Sequence, residues 1–231
     1  MFIPYDKQTI NHPNPIARYA HRTRLSRSKN IVMPYIREKT TMLDYGCGDG
    51  MFLHAIHNEL DNNIVFTLYG YDPYMDGKYE GYEVISDLNQ IADSGINIIT
   101  CLEVCEHLNQ QETQDFINVA SHKLTDGGIL LVTVPIMIGP SLLVKELSRS
   151  LLFHRLPDVG LRALLLASFL GTVPPRAENI KTSHRGYDWR VTLQALQSIF
   201  QIVSIQFSPF NFLGWYGNSQ VLMLFKKPSS R

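Results

Sequence analysis

Neither sign of charge is in excess in this chain of 231 residues: 21 Lys and Arg stand against 21 Asp and Glu. With that balance nothing argues for a nucleic-acid surface driven by bulk charge. Cysteine is scarce. Cys47, Cys101 and Cys105 are the three, none sits in a Cys-x-x-Cys pair, and an odd number at apolar positions predicts reduced, core-filling thiols in a cytoplasmic setting. Long apolar runs are missing too. The stretch 159–170 is interrupted by Arg162 and Ser168 and falls short of the roughly 20 residues a bilayer crossing needs. No basic segment followed by an apolar one opens the chain, so no signal peptide is expected. There is no internal repeat and no low-complexity segment, and the length suits one α/β domain over 1–231.

The chemistry that is present concentrates in 42–53, Met-Leu-Asp-Tyr-Gly-Cys-Gly-Asp-Gly-Met-Phe-Leu. An apolar run feeds a Gly-x-Gly-x-Gly turn and then a helix-compatible stretch, a way of presenting backbone N–H groups to a nucleotide-like ligand. A dinucleotide fingerprint would need its third glycine where Met51 stands; here it is Gly50. Asp44, just before the turn, would repel a pyrophosphate but could accept from an ammonium. Residues 64–71 read as a buried strand ending at Asp72-Pro73. Asp72 lies roughly 20 residues past the glycines, where the second strand of a doubly wound sheet ends. A carboxylate there can accept from two ribose hydroxyls; the alternative is a plain Asp-Pro turn. A third strand, from Ile96, runs into Glu103, Glu106 and His107. Finally, Gly127 and Gly128 are expected to end a helix in a tight turn, with a buried strand over Ile129 to Val134.

In order and spacing these four segments, covering 42–135, resemble the motifs of class I S-adenosylmethionine-dependent methyltransferases. The resemblance implies a doubly wound, mostly parallel seven-stranded sheet. Strands near 201–208 and 219–226 would supply its terminal antiparallel hairpin. It implies S-adenosyl-L-methionine as cofactor, with Asp44, Gly46, Cys47, Gly48 and Gly50 at its methionine end and Asp72 and Pro73 at its ribose. Asp87 and Leu88 would flank the adenine, and Leu102 and Glu103 complete the cofactor set. The family usually begins its fourth strand with Asp; Asn97 stands there in this chain. Glu103, Glu106 and His107 also resemble the metal-binding set of ubiquinone-pathway O-methyltransferases. With His184 added they resemble that of small-RNA 2′-O-methyltransferases. The same cluster can instead cap and brace a helix. No metal is the favoured reading, and a divalent metal is the alternative.

Residues 14–38 read as a helical cover with a basic face that includes Arg18, Arg22, Arg24 and Arg27. Those charges either face solvent or form a wall for an anionic substrate. The stretch 136–182 reads as a helical insertion. Leu143, Val144, Leu147 and Leu151 lie on one side of its first helix, Lys145, Glu146 and Arg149 on another. It would serve as a substrate lid, a homodimer interface or a peripheral membrane contact. After it comes Thr182-Ser-His-Arg-Gly-Tyr-Asp-Trp-Arg190, in which Asp188 would cap a helix. His184 is the first candidate for general base, with His107 and His154 competing. The expected function is O-methylation of a small-molecule, lipid-linked or saccharide acceptor. The alternative is an inactive binding or scaffold protein, and glycine spacing disfavours a nicotinamide-dependent oxidoreductase.

Overall fold

The computed structural model describes residues 14–60, 65–153 and 160–229. Helix α1 (Pro15–Val32) leads through a short 3-10 turn to β1 (Thr40–Tyr45), α2 (Met51–His57) and β2 (Phe66–Tyr71). Then come β3 (Gly77–Tyr79), β4 (Tyr82–Ile85), β5 (Ile96–Leu102), α3 (Gln110–Lys123) and β6 (Leu124–Pro135). Two consecutive helices follow, α4 (Pro140–Phe153) and α5 (Leu161–Leu170). The described chain closes with α6 (Trp189–Gln197), β7 (Gln201–Ser208) and β8 (Gln220–Lys226).

The strands form one sheet in the order β3-β4-β2-β1-β5-β6-β8-β7. Neighbours from β4 to β6 run parallel, and β8 lies antiparallel between β6 and β7. The sheet therefore has eight strands rather than the seven expected. The extra one is β3, three residues that hairpin antiparallel onto β4 at the edge. The cover helix is shorter than 14–38, because Pro34 lies in the 3-10 turn that ends it.

A sheet covered on both faces needs strands that are apolar throughout rather than alternating. Met42, Leu43, Ile98, Ile99, Leu130, Leu131 and Val132 are each at most 1% exposed. One core face gathers Phe116, Trp189 and Phe225; the other gathers Phe52, Leu53 and Ile56 of α2. All three cysteines are free and buried. Asn97 has a structural task in this sheet: its side-chain Oδ1 accepts from the Thr41 N–H at 2.8 Å. The Gly127-Gly128 pair does not close the helix. It lies inside β6, in a bulge where Ile96 pairs with Leu124 but Ile98 with Ile129. Gly127 there has a φ of 73° and its N–H donates to the Lys227 carbonyl at 3.1 Å. A left-handed residue is what lets the strand absorb the extra length.

Candidate active site

The glycine turn is built to be bare. The N–H groups of Gly46 and Cys47 both donate to the Tyr71 carbonyl, at 2.8 and 3.1 Å, which folds the loop back over the end of β2. Gly46, Gly48 and Gly50 have φ values of 77°, 54° and 74°, in the region that favours glycine. A Cβ at Gly46 would stand 2.5 Å from a Val104 methyl, and one at Gly50 would stand 2.5 Å from the Tyr82 ring. A Cβ at Gly48 would meet nothing within 4 Å. Packing thus demands glycine at two of the positions, while at the third the space is open to a ligand.

The other expected cofactor residues gather around this turn, at the carboxyl ends of the parallel strands, the edge of an open α/β sheet where ligands sit. Asp44 is near the end of β1, 3% exposed, and accepts from Thr100 Oγ1 at 2.6 Å. Burial pushes its carboxyl up to about 7, opposed by that hydrogen bond and by Arg24. Asp72 follows β2 and accepts from the Tyr74 N–H at 2.9 Å, with Pro73 between them. Asp87 follows β4 and caps the short turn that begins at Leu88, accepting from the Asn89 N–H at 2.9 Å. Cys47 lines the back of the turn, its thiol pushed up by burial and then by the nearby Asp44 and Asp72 carboxylates.

Leu102 ends β5, and Glu103 follows in a left-handed conformation with a φ of 59°, uncommon without glycine. Its carboxylate explains why it is held so. It pairs with Arg24 at 3.1 Å and receives Thr133 Oγ1 at 3.3 Å and Gln220 Nε2 at 3.4 Å. Burial would raise the Glu103 carboxyl, but Arg24, with His184, His21 and Lys145, holds it below the usual range. Arg24 is therefore committed to Glu103 and not offered to solvent or to an anionic substrate.

Beyond Glu103 opens a cavity of about 920 Å³. Its polar lining includes Glu103, Lys145, His184 and Gln220; Tyr19, Met137, Val144 and Phe210 are among its apolar walls. Lys145 was not among the expected site residues; helical spacing only set it apart from the leucine side of its helix. It turns inward and donates to the Ser219 carbonyl at 3.1 Å, and burial pushes it down to about 8 against the pull of Glu103, Glu146 and Glu106.

Two of the three expected bases meet. His184 Nε2 lies 3.1 Å from His107 Nε2, and His107 Nδ1 lies 3.0 Å from the Ile180 carbonyl. A carbonyl only accepts, so His107 Nδ1 carries a proton and, in the neutral ring, its Nε2 offers a lone pair. His184 Nε2 then donates to it, which leaves His184 Nδ1 with the free lone pair. Burial pushes His184 down to about 4; Glu103 opposes this and the His107, Lys145 and Arg176 charges add to it. His154 lies outside the described residues. Asp188 caps α6 as expected, through the Arg190 N–H at 3.1 Å.

Glu106 completes the cluster from behind. It is fully buried, its carboxyl pushed well up by burial and then by Glu103. Neither oxygen has a hydrogen-bond partner among the described residues; the nearer cation-forming group is His184 Nε2, 3.8 Å away. Ligand atoms of Glu106, His107 and His184 all lie within 4.8 Å of one another. Glu103, the fourth member of the expected metal set, is instead bound to Arg24.

A bare glycine turn, an acid near the end of the first strand, another just past the second and an adjoining cavity are what an S-adenosylmethionine-dependent methyltransferase requires. Residues 16–157, more than half of the 231, match the methyltransferase domain family, and the chain belongs to that family. No curated protein matches it. Among solved structures it is similar to an S-adenosylmethionine-dependent methyltransferase from Methanosarcina mazei, at 18% identity and a TM-score of 0.52, over 87% of this chain and 98% of that one. It is also similar to the PH0226 protein from Pyrococcus horikoshii OT3, at 13% identity and a TM-score of 0.59, over 98% and 100% of the two chains. The cyclopropane synthase MmaA2 from Mycobacterium tuberculosis gives 15% identity and a TM-score of 0.55, over 91% and 84%. At such identities these likenesses speak to the fold.

Proposed function

We propose that the protein transfers the cofactor's methyl group to an oxygen of a hydroxylated acceptor bound between α1 and α4, with His184 as general base. One observation carries this reading: the neutral His184 lines the 920 Å³ cavity with its Nε2 proton engaged by His107, leaving Nδ1 to accept. The acceptor oxygen attacks the sulfonium methyl, the O–CH3 bond forms as the S–CH3 bond breaks, and the hydroxyl proton passes to Nδ1. The departing cofactor is the neutral thioether S-adenosylhomocysteine. With so low a basicity His184 contributes less than the placement of the two reactants, since the sulfonium is already a reactive donor. Apolar walls around a polar floor favour an acceptor with a hydroxylated head and an apolar body, small-molecule or lipid-linked, over a free saccharide. The bare space at Gly48 and the carboxylates of Asp44 and Asp72 serve the cofactor; α4 and α5 serve as the lid.

A second reading is favoured by the fully buried Glu106 carboxyl, neither oxygen of which has a hydrogen-bond partner among the described residues. Glu106, His107 and His184 fit a divalent cation in donor chemistry. The Nδ1-to-carbonyl bond of His107 is the arrangement that aims a ring nitrogen at a metal. Bound there, a cation would polarise the acceptor oxygen as a Lewis acid. The two readings need opposite tautomers of His184, because a ligating Nε2 cannot donate.

Turnover of a hydroxylated amphiphile by the purified enzyme, with and without chelator, separates them. For the base reading, His184→Gln is expected to lower kcat about 10²–10⁴-fold with cofactor affinity retained, and chelator has no effect. Activity lost in chelator and restored by Mg²⁺ or Mn²⁺ would establish the metal. Transfer to nitrogen or carbon alone would refute oxygen as the acceptor atom.

A further inference from the structure

The lysine on the inward side of α4 is held by backbone alone. Lys145 Nζ has three N–H donors. One goes to the Ser219 carbonyl at 3.1 Å and another to the Ile136 carbonyl at 3.4 Å. Among the described residues the third meets no acceptor, and the ammonium forms no ion pair. The acids that line the cavity beside it are Glu103 and Glu146. Glu103 is given to Arg24, and both acids pull on Lys145 only from beyond ion-pair reach. Of the other described lining residues, His21, His184 and Arg185 are basic and none is acidic.

A charge turned inward is ordinarily paired. Lys145 is half-buried, and the part of it left open lines the acceptor cavity, so its counter-charge arrives with the acceptor. The same balance sets the size of that charge. With Glu103 cancelled by Arg24, Lys145 and Arg185 stand against Glu146, a surplus of one positive charge in the lining. One surplus charge and one spare N–H suit a carboxylate. A phosphate monoester, close to dianionic at neutral pH, brings a second charge and oxygens for which Lys145 has no donor. Tyr19, Met137, Val144 and Phe210 remain for an apolar body. The anion also serves the base. Burial first, then the His107, Lys145 and Arg176 charges, depress His184 against the pull of Glu103, and a carboxylate on Lys145 cancels one of those charges.

We propose that Lys145 selects the acceptor by receiving its carboxylate, so that the substrate class is a hydroxy acid with an apolar body rather than a neutral alcohol. The hydroxyl half of that class rests on the function proposed above; the carboxylate half does not.

The test is calorimetric titration of the full chain, loaded with S-adenosylhomocysteine, with two matched pairs of probes. These are β-hydroxydecanoate against β-hydroxydecanamide and para-hydroxyphenylacetate against its amide, with decyl phosphate beside them. In at least one pair the carboxylate is expected to bind at least roughly tenfold more tightly than the amide. Lys145→Met should remove that preference by weakening the carboxylate roughly 10–100-fold, as for loss of a hydrogen bond to a charged group. The amide and S-adenosylhomocysteine should bind as before. In the native protein the preference should shrink at least roughly tenfold from pH 7 to pH 9.5, as the ammonium, pushed down to about 8 by burial, gives up its proton. That measurement needs no variant to fold. The proposal is overturned by no carboxylate preference in either pair, by a preference kept in Lys145→Met or at pH 9.5, or by tighter binding of decyl phosphate than of β-hydroxydecanoate. Weaker S-adenosylhomocysteine binding by Lys145→Met would also overturn it, by giving the ammonium to the cofactor's own carboxylate. A carboxylate preference without methylation of any hydroxyl leaves Lys145 as the anion's partner and removes the oxygen-transfer reading. Hydroxyl methylation without the preference does the reverse.

Discussion

Burial makes the ionisation of Asp44 costly in the free protein. Its carboxyl is raised from 3.8 to about 7 by burial, so the folded state holds a proton that the unfolded chain releases near its ordinary value. The stability this supplies is fully present below the unfolded value and is lost as pH rises through about 7. At 1.36 kcal/mol per pKa unit the loss amounts to about 4 kcal/mol between those limits. Asp44→Asn keeps an acceptor for Thr100 but cannot ionise. Denaturant unfolding of the free protein is therefore expected to show a stability advantage for the variant that grows from pH 4 to pH 7 and then levels. Cofactor binding should do the opposite. An ammonium nearby favours the charged carboxylate, so native affinity tightens as pH rises through 7, and the variant binds more weakly with that dependence gone. Calorimetric titration at pH 6 and pH 8 measures both. Equal pH dependence in the two proteins would mean that Asp44 does not face the cofactor's charge.

At the scale of elements, the glycine turn separates what the fold needs from what the ligand needs. Gly46→Ala brings a methyl within 2.5 Å of the stiff Val104 side chain, whereas Gly48→Ala meets nothing within 4 Å. Both pay for a left-handed alanine, about 1–2 kcal/mol, and the clash should add about 1–3 kcal/mol to the first alone. Gly48→Ala is thus expected to melt close to the native protein while losing at least roughly tenfold in cofactor affinity, because the added methyl fills a ligand's space. Urea unfolding and titration of the two variants make the comparison. The turn and the strands that carry it were legible because glycine spacing and continuous apolar runs are local signals. Helix α1 was half legible. Its basic face was plain, but not that Arg24 would pair with Glu103 or that Arg27 would donate to the Phe207 and Pro209 carbonyls at 2.9 and 2.8 Å. Such partners lie far away in the chain. Periodicity likewise found both faces of α4 but not which of them turns inward. A hydrophobic stripe says that two sides differ; which side turns inward depends on whether the interior is a core or a polar cavity floor. The eighth strand escaped because three residues at an edge carry no pattern.

For the molecule as a whole, the cofactor edge and the acceptor cavity adjoin at Glu103, which follows β5 directly and lines the cavity while holding α1 through Arg24. No short motif could disclose that junction. It exists only once β5, β6, β8 and α1 are assembled, since Thr133 and Gln220 also hold the same carboxylate. Ligand binding at this junction should register in the stability of the entire fold. A ligand that binds only the native state adds RT ln(1 + [L]/Kd), about 2.7 kcal/mol at a hundredfold excess over Kd. For a chain of this length each kcal/mol moves Tm by roughly 2–4 °C, so S-adenosylhomocysteine at that excess is expected to raise Tm by roughly 5–11 °C. A nicotinamide dinucleotide, whose pyrophosphate Asp44 repels, should leave it unchanged. At one fixed ligand concentration the shift should be larger at pH 8 than at pH 6, as the Asp44 linkage requires, and Arg24→Met should lower the starting Tm by leaving Glu103 a buried, uncompensated charge, a loss of about 3–5 kcal/mol. Differential scanning fluorimetry at the two pH values reads these effects together. A pH-independent shift with the native protein would separate cofactor binding from Asp44, and an unchanged starting Tm in Arg24→Met would show that α1 is not anchored through Glu103.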